Sequence, residues 1–179
     1  RNCAKEAGKI QLSYFRGNHL HIETKFNMHD VVTVADKESE RYIIGEIKRT
    51  YPEHAILGEE SGMHAGDSEY CWVIDPLDGT SNYIHDMAPY SVSIALRDRE
   101  ELLLGVVYEV CRNECFYAWK GGGAYVNGER LRVSLVSEPK DAFVVTELPY
   151  NFEQYARTGE HLIHELYGKV AGIRMNGSA

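Results

Sequence analysis

Two short acidic stretches carry most of the chemistry this sequence can do. In the first, Trp72-Val73-Ile74-Asp75-Pro76-Leu77-Asp78-Gly79-Thr80-Ser81-Asn82, an apolar run delivers Asp75 to its C-terminal end. Pro76 fixes φ and removes an amide donor, and Gly79 permits backbone angles that other residues resist, so a sharp turn is expected. Such a turn can bring Asp75 and Asp78 together with the Leu77 carbonyl on the same side, an oxygen-ligand set for a hard cation. After it, Gly79, Thr80 and Ser81 are expected to open a short helix whose free amides suit a phosphate. The simpler alternative is an Asx-type turn chosen only for its Asp-Gly backbone.

In the second stretch Glu59 and Glu60 follow the apolar step Ala55 to Leu57, with Gly58 before them and Ser61-Gly62 after. A solvated acidic loop is the alternative here. If the two strand ends are neighbours, four carboxylates share one pocket. At ~4 Å and an effective dielectric near 20 each pair repels by about 4 kcal/mol, so the cluster needs protons or cations. All candidate ligands are oxygens, with no Cys or His at ligand spacing, which selects Mg2+, with Mn2+ or Ca2+ as substitutes, over Zn2+. His19 and His21 read as surface loop. Two Mg2+ ions beside a helix N-terminus suit cleavage of a phosphate monoester. Because Asp75 and Asp78 do not form the Asp-x-Asp pair of aspartyl-phosphate phosphatases, attack by metal-activated water is favoured over a covalent intermediate.

These residues need elements to hold them. The chain has 179 residues, 44% hydrophobic and 26% charged, enough for one globular domain with no repeat or linker. The first residues place Cys3, Ala7, Ile10 and Tyr14 at helical spacing, and a second helix is expected from Val34 to about Arg49, capped by Thr33 with Asp36 at the capping-box position. Its buried stripe is Ile43, Ile44 and Ile47. Tyr70 to Ile74 reads as a buried strand. From Tyr90 the alternation of Val92, Ile94 and Leu96, then Leu102 to Tyr108 and Cys115 to Trp119, predicts an antiparallel meander. Asn127-Gly128 predicts a hairpin between Ala124 to Val126 and Leu131 to Val133. Strands at Ala142 to Thr146 and Val170 to Arg174 flank a helix at His161 to Tyr167. Strands and helices mix without regular βα alternation, which predicts an α+β layered sandwich over a doubly wound sheet.

Lys plus Arg number 19 against 27 Asp plus Glu, a formal charge of -8, which is the wrong sign for nucleic-acid binding. No apolar run approaches the roughly 20 residues of a membrane span. The 4 Cys contain no CxxC pair, so reduced thiols in a cytoplasmic setting are expected. Gly121-Gly122-Gly123 lies between two strands and reads as a turn, Cys111 and Cys115 as ordinary thiols, and Asn176-Gly177-Ser178 as a chance sequon.

Gly58-Glu59-Glu60-Ser61 followed by Trp72 to His85 resembles the inositol monophosphatase family, a likeness that extends over Asp30 to Asp36, Tyr90 to Leu96, Gly105 to Tyr108, Lys120 to Asn127, Val145 to Leu148 and Gly172 to Ala179. The resemblance implies a layered α-β-α-β-α sandwich of the sugar phosphatase type with mostly antiparallel sheets. It also implies a Mg2+-dependent, lithium-sensitive phosphatase using two or three ions, usually a homodimer. Glu59, Asp75 and the Leu77 carbonyl fall where the family binds its first metal, and Asp75 and Asp78 where it binds the second; Glu60 completes the acidic motif. Thr80 and Asp36, with Glu59, match the groups that orient and deprotonate the attacking water. Lys25 matches a lysine on the loop bordering the metals. The Gly79 and Thr80 amides would hold the phosphate, beside Glu59, Leu77 and Asp78, and Gly177, Ser178 and Ala179 would line the alcohol side. Without the resemblance, Asp36 has an adequate role as a capping carboxylate, Thr80 as a helix N-cap, and Lys25 as a solvated lysine.

Family members continue past this end, with a Trp-Asp motif whose aspartate completes the second metal site and a Glu that contacts inositol hydroxyls. The expectation is therefore a single phosphatase domain over 1–179 lacking its C-terminal portion, with a metal-site part at 1–135 and the start of a second sheet part at 136–179. Thr80-Ser81-Asn82-Tyr83-Ile84-His85 looks inositol-type, so the expected substrate is inositol monophosphate or a similar small sugar phosphate. A 3'(2'),5'-bisphosphate nucleotidase or another sugar phosphatase of the superfamily is the alternative. The alternative of another class is a non-catalytic, cation-binding interaction protein.

Overall fold

The computed structural model describes residues 1–17, 22–24, 31–147 and 152–179. Thr33 starts the long helix, α2 (Val34–Thr50): its hydroxyl accepts the Ala35 N–H at 3.1 Å, and the Asp36 carboxylate closes the capping box by accepting the Thr33 N–H at 2.8 Å. Lys48 and Arg49 sit in the last turn, where cations suit the helix dipole, and the helix ends before Pro52. Its buried face is Ala35, Asp36, Ser39, Glu40, Ile43 and Ile47, while Ile44 is only partly covered.

Helix α1 (Asn2–Tyr14) turns a different face inward from the one its larger residues predict. Ala4, Ala7, Gly8 and Gln11 are buried, whereas Cys3 and Tyr14 are only partly covered. The smallest residues allow the closest approach: a Cβ on Gly8 would fall 2.6 Å from the Tyr108 ring. Ser39 Oγ donates to the Ala7 carbonyl at 3.4 Å, joining α1 to α2.

One mixed sheet holds eight strands. They are β3 (Ala55–Gly58), β4 (Gly62–His64), β5 (Cys71–Asp78), β6 (Ser91–Arg97), β7 (Leu102–Glu109), β8 (Glu114–Trp119), β9 (Gly123–Val126) and β10 (Glu129–Arg130), in the order β10-β9-β8-β7-β6-β5-β3-β4. A separate two-stranded pair, β1 (Glu23–Thr24) and β2 (Val31–Val32), precedes α2. The meander β6-β7-β8 is antiparallel as the alternation predicts, with Ile94 opposite Val106 and Val106 opposite Tyr117. Gly121 and Gly123, both at positive φ, make the β8–β9 turn. Asn127 and Gly128 form the next hairpin, again at positive φ, but β10 stops at Arg130 where the sequence predicts a strand over Leu131 to Val133. Val133 and Leu135 are 91% and 99% exposed, so the apolar face of that segment has nothing packed on it to hold it as a strand.

The pairing that matters for the site is β3 with β5, the one parallel pair of this sheet. Ile56 lies beside Trp72 and Gly58 beside Ile74, so both strands end on the same edge. Helix α2 packs on β5, and α1 on β6 and β7. Between them Ile43, Ile47, Ile56, Ile74, Leu77, Val92, Ile94 and Tyr108 form the core.

The chain forms two compact units, Arg1–Leu131 with Ser178–Ala179, and Arg132–Gly177. In the second, a 3-10 turn (Pro139–Asp141) precedes β11 (Phe143–Val145), helix α4 (Phe152–Leu166) and β12 (Gly172–Arg174). The helix begins before the His161 start that the sequence predicts. Strands β11 and β12 are parallel, Val144 beside Ile173, as a strand–helix–strand connection requires. The Arg174 guanidinium lies 5.0 Å from the Phe143 ring centroid.

Candidate active site

Strand β5 departs from its ladder just where its sequence turns acidic. Asp75 pairs with Ser93 but Asp78 with Ser91, so β5 spends one residue more than β6 over this step, a β-bulge. Within it the Leu77 N–H donates to Asp75 Oδ1 at 3.2 Å, and the Pro76 carbonyl accepts from Gln11 Nε2 at 2.5 Å. Gly79 follows at φ 90°, in the left-handed region that favours glycine, and introduces α3 (Thr80–Ile84).

Thr80 is the first residue of that helix, and Gly79 holds the cap position, so the N-cap role the sequence allows for Thr80 is not its role here. The Thr80 hydroxyl instead lies 2.9 Å from the Leu77 carbonyl and 3.2 Å from Asp36 Oδ1, and its single hydrogen serves one of them at a time. Asp36 is fully buried. Its Oδ2 accepts from the Thr33 hydroxyl at 2.6 Å and the Thr33 N–H at 2.8 Å, which leaves Oδ1 for Thr80. The capping and functional readings of Asp36 are thus compatible, one oxygen each. Burial raises the Asp36 carboxyl above the ordinary carboxylate range, against the bonds from Thr33 and Thr80.

The parallel strand ends bring the two acidic stretches together. The Glu59 N–H donates to the Ile74 carbonyl at 3.0 Å, and the Glu59 and Asp75 side chains share a hydrogen bond. Burial, then the charge of Glu59 and this shared bond, then Asp78, push the Asp75 carboxyl up to about 8. Two carboxyl groups in contact cannot both ionise in a half-buried setting; one keeps its proton. Glu60 follows on the same turn. Asp78 Oδ2 accepts from the Ser91 hydroxyl at 3.1 Å, the Ser178 hydroxyl at 2.5 Å and the Ala179 N–H at 2.5 Å. Among the described residues, no group of three or more His, Cys, Asp or Glu side chains already stands where it could hold a metal ion. The donors at hand are carboxylates and the Leu77 carbonyl, oxygen ligands of the kind a hard cation takes.

Gly177 belongs to the second unit, where its N–H donates to Glu147 Oε1 at 2.6 Å. Lys25, His19 and His21 lie outside the described residues.

Three further residues shape this site. Glu40, buried on α2, accepts from the Ser61 N–H at 3.4 Å and hydroxyl at 3.1 Å, and so holds the Gly58-Glu59-Glu60-Ser61 turn from below. A Cβ on Gly58 would fall 1.7 Å from Glu40 Oε1, so a larger residue there would displace the Glu40 carboxylate from Ser61. Gln11 reaches the bulge from α1, and Ser91 reaches Asp78 from β6. Glu40 and Gln11 each occupy a position in register with an apolar helical stripe, Ile43 and Ile47 for the one and Ala4 and Ala7 for the other. A polar residue on such a stripe signals a buried partner.

The inositol monophosphatase family model matches residues 1–179. The Nus factor SuhB of Salmonella typhimurium is 39% identical over 178 residues, which cover 99% of this chain and 67% of that protein. The extragenic suppressor protein suhB from Bartonella henselae superposes with a TM-score of 0.94 at 32% identity, over 99% of this chain and 69% of that one. The Thermotoga maritima IMPase superposes with a TM-score of 0.87 at 33% identity, over 99% and 66%.

Proposed function

Because this chain belongs to the inositol monophosphatase family, we propose that it is a Mg2+-dependent phosphomonoesterase that hydrolyses inositol monophosphate or a similarly small sugar phosphate. The observation that carries this reading is the Glu59–Asp75 contact at the joined ends of β3 and β5, where a carboxyl group keeps its proton to near pH 8 beside a set of oxygen donors. A divalent cation relieves the same repulsion as that proton, so the residues fit the metal.

On this reading Glu59, Glu60, Asp75, Asp78 and the Leu77 carbonyl hold Mg2+. When bound, Mg2+ offsets phosphate charge and acidifies a water. The Thr80 hydroxyl, giving its hydrogen to Asp36 Oδ1, turns a lone pair outward and accepts a hydrogen bond from the attacking water, while Glu59 takes the proton. The Gly79 and Thr80 amides hold a phosphate oxygen. Ser178 and Ala179, tied to Asp78, and Gly177 line the alcohol side, and Lys25 borders the metals. The same reading makes the protein a cytoplasmic homodimer.

A second reading, that of a partner-binding protein, draws on the Nus factor name of the Salmonella relative. Phosphate release by the full-length protein from inositol 1-phosphate, adenosine 3',5'-bisphosphate, fructose 1,6-bisphosphate and histidinol phosphate, each in Mg2+ and in excess chelator, separates the two. Mg2+-dependent release that fails in Asp75→Asn supports the phosphatase. No release from any of the four, or equal release in chelator, overturns it.

A further inference from the structure

Gln11 is a glutamine with no exposed surface, on a helix that contributes no acidic group to the site. The bulge in β5 explains what it does. Between Asp75 and Asp78 the ladder to β6 is interrupted, so the Pro76 carbonyl has no strand partner across from it, and proline has no N–H to offer. A buried carbonyl needs a donor, and Gln11 Nε2 supplies it from 65 residues upstream at 2.5 Å. The main-chain carbonyl of the same residue accepts the hydroxyl of fully buried Tyr83, on α3, at 2.6 Å. One residue of α1 therefore fastens both ends of the segment from Asp75 to Tyr83. The cost is visible: Gln11 Oε1 is buried without a hydrogen-bond partner, a penalty that a purely space-filling residue would avoid.

Resting on the phosphatase reading, we propose that Gln11 is a positioning residue for the metal ligands. By drawing the Pro76 carbonyl toward α1 it fixes the peptide plane that leads into Leu77. The Leu77 carbonyl is then turned to Thr80, at 2.9 Å, and Asp75 and Asp78 stand where Glu59 and Ser91 meet them. Without that fastening the bulge can rotate about its two central residues, and the donors no longer share one orientation before a cation arrives.

The test is Mg2+ binding by titration calorimetry, alongside turnover, in the parent protein, in Gln11→Met, which keeps the volume and removes the donor, and in Tyr83→Phe, which removes only the second fastening. Gln11→Met is expected to weaken Mg2+ binding about tenfold, the lower end of what outer-shell groups contribute to metal sites, and to raise the Mg2+ concentration for half-maximal turnover equally. Turnover at saturating Mg2+ should largely return. Tyr83→Phe is expected to shift both in the same direction by less. Equal Mg2+ affinity in the parent and Gln11→Met overturns the role of Gln11 while leaving the phosphatase reading standing; a parent that takes up no Mg2+ overturns that reading itself. Should Gln11→Met not fold, Tyr83→Phe decides, and unchanged Mg2+ affinity there overturns the proposal.

Discussion

Ile74 and Leu77 on β5 are fully enclosed between α2 and the neighbouring strands, whereas Phe143 and Val145 on β11 are 61% and 52% exposed. The first unit surrounds its central strand with partners on both edges. In residues 132–177, a two-stranded parallel pair stands with one helix, and no apolar side chain is buried among the described residues. Two strands alone make a marginal sheet. The chain spans 67% of the Salmonella relative's length, and Asp36, Glu59, Asp75 and Asp78, which repel when pressed together, all lie in the unit whose interior is filled here.

The largest effect that tests this contrast is on chemistry. Asp75→Asn is expected to lower turnover about 10²–10³-fold, as loss of a group that organises charge at the reacting centre does, while Glu165→Gln, which removes the exposed Glu165–Lys169 pair of the second unit, leaves it near the parent value. Comparable losses in steady-state assays would erase the distinction between the units.

Next comes packing. Ile74→Ala should cost about 2–5 kcal/mol in denaturant unfolding, and Phe143→Ala under about 1 kcal/mol, since its ring is already mostly in water. Equal costs would mean that the second unit has an interior of its own.

The third prediction concerns pH. The Asp75 carboxyl is pushed from its ordinary 3.8 to about 8 in the folded, metal-free protein. A raised acid stabilises the fold when protonated: the contribution is complete below about pH 4 and is lost as pH rises through 8. In chelator the parent midpoint temperature should therefore fall by about 5–10 °C between pH 5 and 8.5. Asp75→Asn, with no charge to repel Glu59, should show a flatter profile and a higher midpoint at pH 8.5. A parent profile that rises with pH would show that the two carboxylates are not pressed together. Thr33→Ala should cost about 1 kcal/mol in denaturant unfolding through loss of the helix cap.

Much of this arrangement can be read from local residue order. Thr33 and Asp36 mark the start of α2, the run to Ile74 marks β5, Asp78-Gly79 marks the turn, and Asn127-Gly128 the hairpin. These signals act over a few residues and need no knowledge of neighbours. The parallel pairing of β3 with β5 is not local, yet it decides whether Glu59 meets Asp75, and the sequence supports it only as a condition. The inner face of α1 is only partly legible: Ala7 lies on the predicted stripe, but apolar size marks Cys3 and Tyr14, while close packing selects Ala4 and Gly8. Gln11 and Glu40 are legible only once their helices are seen to be packed, since each partner lies far along the chain.

Asp36 splits its duties between two oxygens, and this gives the hydrogen bonds a polarity. Both donors from Thr33 require an acceptor at Oδ2, so the amide introduced by Asp36→Asn must place its oxygen there and its NH2 toward Thr80. The hydroxyl of Thr80, now receiving a hydrogen from that amide, has to send its own to Leu77 instead of toward the helix start. A change that leaves shape, volume and the helix cap intact would thereby reverse one contact, between residue 36 and Thr80, and commit the Thr80 hydrogen to the bulge.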